Sequence, residues 1–102
     1  MLQIENKHWK IVQNILSKYP YQFYAYGSRV KSKARKLSDL DICYYDNIPD
    51  ELIFQIKEEF SQSNLPFFVE IVAWKNMRPA FQKAVEKDLM LIFSPPSFQD
   101  TQ

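Results

Sequence analysis

A chain of 102 residues is the length of one domain, with room for a single hydrophobic core. Its 46% hydrophobic and 16% aromatic content excludes a disordered chain, and a formal charge of +1 gives no global field to recommend direct nucleic-acid binding. The lone cysteine, Cys43, excludes an internal disulfide framework, and no stretch approaches the ~20 apolar residues of a membrane span.

In chain order, MLQIENKHWK carries no apolar run of the signal-peptide kind, so a cytoplasmic protein is expected. Ile4, His8, Val12, Ile15 and Leu16 recur at helical spacing, which predicts an amphipathic helix over 3–18, ended by Tyr19-Pro20. Gln22 to Tyr26 reads as an aromatic strand feeding a turn at Gly27-Ser28, and a brief helix is expected from Ser28. Leu40 to Tyr45 reads as a second strand. Pro49, Asp50 and Glu51 mark the start of a helix whose buried stripe is Leu52, Ile53, Ile56 and Phe60.

PFFVEIVAW predicts a third strand, with Phe67, Val69 and Ile71 on one face and Phe68, Glu70 and Val72 on the other. Asn76 and Pro79 open a last helix with the stripe Met77, Phe81, Ala84, Val85 and Leu89. The expected class is α/β, a small sheet with helices packed on it in the order α-β-α-β-α-β-α. A folded unit over 1–93 is expected, followed by a proline-containing tail over 94–102.

The chemistry is concentrated in GSRVKSKARKLSDLD, Gly27 to Asp41. The only glycine of the chain stands beside Ser28, ten residues intervene, and Asp39 and Asp41 follow with one residue between them. At that spacing a strand sends both carboxylates to one face, where they repel unless a cation lies between them. Magnesium, which takes carboxylates together with substrate phosphates, is the usual answer. Glu70, an acid in an otherwise apolar strand, is costly to bury without a partner. If its strand neighbours that of Asp41, three carboxylates gather and can hold metal that aligns a nucleotide's phosphates. The plainer alternative is a sheet face open to water with three solvated acids.

Glycine is also the default in any tight turn, but no other turn of this chain uses one, which points to close backbone approach by a phosphate. Ser28 adds a hydroxyl. Arg29 is placed for triphosphate contact, whereas Lys31, Lys33, Arg35 and Lys36 are expected to face solvent or an acidic partner. His8 is read as partly buried structure and Cys43 as core. No catalytic triad, zinc spacing or P-loop is present.

The pattern Gly27-Ser28, ten residues, Asp39-Leu40-Asp41, with Glu70 in a later strand, resembles the minimal nucleotidyltransferase family of the DNA polymerase β superfamily, the small antitoxin partners of HEPN-domain toxins in bacteria and archaea. The resemblance runs from the strand before Gly27 to the helix after Glu70. It implies a minimal polymerase-β-like core, with Gly27 and Ser28 holding the phosphates of ATP and Asp39 and Asp41 binding Mg2+. Glu70 would be the third carboxylate, a base or metal ligand near the attacking hydroxyl. The implied reaction is transfer of AMP from ATP to a tyrosine hydroxyl of the partner HEPN ribonuclease.

Two positions depart from the family pattern: Ser32, where many members carry a second glycine, and Glu70, where the acid is often aspartate. A tighter or differently tilted turn is expected at Ser32. The alternative from another class is a binding module that neutralises its toxin by complex formation alone. A third reading, transfer to a small molecule, is disfavoured because the core leaves no residues for an acceptor domain. The acceptor surface must then come from another chain, with Leu91-Ile92-Phe93, Pro95, Pro96 and Phe98 expected as docking surface.

Overall fold

The computed structural model describes residues 2–96. Three helices and four strands follow in the order α1 (Asn6–Leu16), β1 (Phe23–Tyr26), β2 (Leu40–Tyr44), α2 (Asp50–Ser61), β3 (Val69–Ala73), α3 (Pro79–Val85) and β4 (Met90–Phe93). One mixed sheet has the spatial order β3-β2-β1-β4. β1 runs antiparallel to both β2 and β4, and α2 is the crossover that lets β3 lie parallel to β2.

Alternation along the strands divides the molecule into layers. Phe23 and Ala25 of β1, Leu40 and Ile42 of β2, and Val69 and Ile71 of β3 join Val12, Ile15 and Leu16 of α1 and Ile53, Ile56 and Phe60 of α2 in the main core. The opposite sheet face is covered in part, by a smaller cluster of Tyr26, Cys43, Met77 and Val85. Lys18 and Tyr19 both donate to the Glu59 carboxylate, tying the end of α1 to α2, and the two hydrogen bonds hold that carboxyl below its usual range.

The α/β class and the faces of β3 are as the sequence predicts, and the element order differs in two places. No helix follows Ser28; residues 28–32 form turns instead, and β2 comes next. The physical reason is composition. The segment carries five cations, no acid before Asp39 and no apolar stripe to bury, so nothing repays helix nucleation. Leu37, the large apolar residue there, is exposed.

The second difference is β4. Leu91-Ile92-Phe93 are a strand bonded to β1, with Ile92 in the main core, rather than an apolar tail. Leu91 alone of the three is exposed. Phe98 lies outside the described residues. The last helix is also shorter than its expected stripe: Met77 is buried ahead of it, and Phe81 and Ala84 are exposed. α1 begins at Asn6 rather than residue 3 because the backbone N–H of Gln3 donates to the carbonyl of Arg29, drawing the first residues out to the turn. His8 packs edge-on against Phe67 at 5.7 Å, and Cys43 is fully buried. Burial pushes the Cys43 thiol up to about 11, which makes it inert.

Candidate nucleotide site

Sheet register assembles the site. In the parallel pair, Asp41 of β2 stands beside Glu70 of β3, and in the antiparallel pair Asp41 stands opposite Tyr26 of β1. Cross-strand partners share a face, so Tyr26, Asp41 and Glu70 form one row across three strands. This is the partly covered face. Asp39 is exposed, one residue ahead of β2.

The electrostatics report the crowding. Partial burial raises the Asp41 carboxyl to about 6, and the charges of Asp39 and Glu70 push in the same direction. Burial first, then the negative charge of Asp41, lifts the Tyr26 phenol to about 12, with Cys43 and Glu70 adding to it. A carboxylate that resists ionisation beside two others is a site that a cation would relieve.

Gly27 meets this row directly. Its φ is +86°, in the region that favours glycine, and a Cβ there would sit on the Asp41 carboxylate oxygen. The turn that follows is built by helix-like bonds: Val30 and Lys31 N–H donate to the Gly27 carbonyl, and Lys33 N–H to that of Ser28. Among the described residues no hydrogen bond uses the N–H of Ser28 or of Arg29, leaving two donors at the mouth of the turn. Ser32 has φ +59°, so the backbone keeps the left-handed conformation a glycine would adopt there.

Arg29 is a correction. Rather than reaching outward to a triphosphate, its side chain is buried at 4% exposure. Nε donates to the Ser38 carbonyl at 3.1 Å, Nη1 to Gln3 at 2.8 Å, and Nη2 to Ser38 at 2.7 Å and Lys36 at 3.3 Å. The guanidinium also stacks 4.1 Å above the Phe67 ring. Burial lowers its pKa and the charge of Asp39 opposes that. Planar, multidentate and desolvated, it pins the loop between β1 and β2 to the start of the chain. Lys31 of the same loop reaches Asp88 at 3.6 Å.

Among the described residues no three His, Cys, Asp or Glu side chains already close into a metal site. The donor set nonetheless fits a hard cation: three carboxylates with oxygen ligands only, one held short of full ionisation by burial and its acidic neighbours, and a glycine that leaves its oxygen uncovered. A groove of about 360 Å³ runs along the open edge of β3 between Lys57, Phe60 and Phe68, and it includes neither Asp39 nor Asp41. The sequence reading missed Tyr26. Its one signal was its place directly before Gly27, and register, which sequence does not display, is what sets it opposite Asp41.

Comparison with known proteins places the chain in a family. The family described as polymerase beta nucleotidyltransferase matches residues 10–97. A curated relative, the probable protein adenylyltransferase MntA of Haemophilus influenzae, is 35% identical over 95 residues, covering 89% of this chain and 83% of the relative. Among solved structures, a toxin–antitoxin with AMP-PNP superposes with a TM-score of 0.64 at 18% identity, covering 90% of this chain and 76% of the other. A protein from Shewanella oneidensis gives 0.58 at 19% identity, covering 95% and 77%. At that identity the structures speak to fold. No helix among the described residues is long and apolar enough to cross a membrane. With the match spanning nearly the whole chain, this protein belongs to the polymerase beta nucleotidyltransferase family.

Proposed function

We propose that this chain is an antitoxin adenylyltransferase that moves AMP from ATP to a tyrosine hydroxyl of a cognate HEPN-domain toxin. The observation that carries the reading is the register that sets Asp41 beside Glu70 against the Gly27 turn. Support comes from the similarity to MntA, named a probable protein adenylyltransferase. A fold neighbour, a mutant of the toxin–antitoxin MntA–HpeT, gives a TM-score of 0.54 at 18% identity, covering 95% of this chain and 76% of the other.

In this reading Asp39, Asp41 and Glu70 would hold magnesium, which when bound neutralises phosphate charge and polarises the attacked phosphorus. Gly27 gives the phosphates close approach, and Ser28 with the free N–H groups of the turn binds their oxygens. The acceptor hydroxyl attacks the α-phosphorus in line. The new O–P bond forms as the bond to the β-phosphate breaks, pyrophosphate leaves, and the phenolic proton passes to the Glu70 carboxylate.

The test is intact-mass spectrometry of the partner toxin, purified from co-expression with this protein. The parent protein should add the mass of one or more AMP groups, and Glu70→Gln, similar in size and unable to take the proton, should abolish the gain while the pair still co-purifies. A toxin that is fully inhibited with its mass unchanged in the presence of ATP and magnesium would contradict the reading and establish inhibition by complex formation.

A further inference from the structure

With Arg29 turned inward, the phosphate end of the site lacks the donor that the sequence assigned to it. Nine-tenths of Tyr26 is buried, with 7% exposed, and the side chain lies in the row with Asp41 and Glu70. Among the described residues no hydrogen bond uses its hydroxyl, yet no side-chain oxygen there is both buried and unpartnered. The hydroxyl therefore keeps some exposure to solvent, with no hydrogen-bond partner among the described residues. Its ring is fixed edge-on against Phe81, 6.0 Å between centroids, and its neighbours in the second cluster are Cys43, Met77 and Val85.

Building on the proposed function, we infer that Tyr26 is a further substrate-binding residue, its hydroxyl donating a hydrogen bond to a phosphate oxygen of the bound nucleotide. Two observations support phosphate over sugar or base. Tyr26 immediately precedes the Gly27 turn with its free N–H groups. The nearest loop cations are committed, Arg29 to carbonyls and Lys31 to Asp88.

The experiment is calorimetric titration of the full chain with two probes in magnesium, a non-hydrolysable ATP analogue and inorganic tripolyphosphate. Tyr26→Phe keeps the ring and its packing, and should weaken both probes by on the order of tenfold, the size of one hydrogen bond to a charged group. Phe81→Leu, which disturbs the packing and leaves the hydroxyl, should change either probe by less than about threefold. Unchanged affinity in Tyr26→Phe would overturn the inference, as would a loss confined to the nucleotide, or an equal loss in Phe81→Leu, which would make Tyr26 a packing residue. Failure of the underlying site is separable: Asp39→Asn with Asp41→Asn would then bind both probes as the parent does.

Discussion

Asp41 carries the electrostatic tension of the site. Its carboxyl is raised to about 6, by burial first and by Asp39 and Glu70 next, against an ordinary value near 3.9. The folded state therefore holds the proton more tightly than the unfolded chain. The contribution of this carboxyl to the stability of the metal-free fold is fully present below pH ~4 and is lost as pH rises through about 6. Discounted for solvent screening, the loss is on the order of 1–2 kcal/mol. Asp41→Asn should raise the melting temperature of the metal-free protein at pH 7.5 by several degrees, with no gain at pH 4, and should lose magnesium-dependent nucleotide binding. Thermal melts at the two pH values check it. Gly27→Ala acts oppositely: at φ +86° with its Cβ on the Asp41 carboxylate, it should cost about 1–2 kcal/mol and lose nucleotide binding, read by denaturant titration and calorimetry.

At the scale of elements, the loop between β1 and β2 shows where sequence reading succeeds and where it stops. The turn at Gly27 and the strand faces of Asp41 and Glu70 were legible because strand alternation and an isolated glycine state their own geometry. Arg29 was not, since nothing in a run of five cations says which one turns inward. That choice depends on carbonyls of Gln3, Lys36 and Ser38 and on the Phe67 ring, which only tertiary contacts bring together. β4 was illegible for another reason. MLIF is a short apolar run without alternation, which periodicity does not resolve. Arg29→Ala should cost roughly 2–4 kcal/mol by stranding those carbonyls and unpinning the loop, whereas Lys33→Ala should stay within about 0.5 kcal/mol. Ser32→Gly should stabilise by about 1 kcal/mol, because φ +59° taxes serine and not glycine. Urea unfolding of the three variants checks all of this.

For the whole molecule, function follows from unequal covering of one sheet. α1 and α2 seal one face into the main core, and the smaller cluster around Cys43 and Met77 closes part of the other. The row of Tyr26, Asp41 and Glu70 lies on that second face, with the Gly27 turn at one end and the open edge of β3 at the other. Phe54, Phe68, Phe81 and Leu91 stay exposed, and of these Leu91 belongs to the segment that the sequence marked as docking surface. The central claim is that this row is a magnesium-dependent nucleotide site. Its most direct test is calorimetric titration of a non-hydrolysable ATP analogue into the parent protein, with magnesium and then with a chelator in its place. Saturable binding that disappears with the chelator, and in Asp39→Asn with Asp41→Asn, is the result expected. Equal binding with and without the metal, or binding unchanged in the double variant, would contradict it.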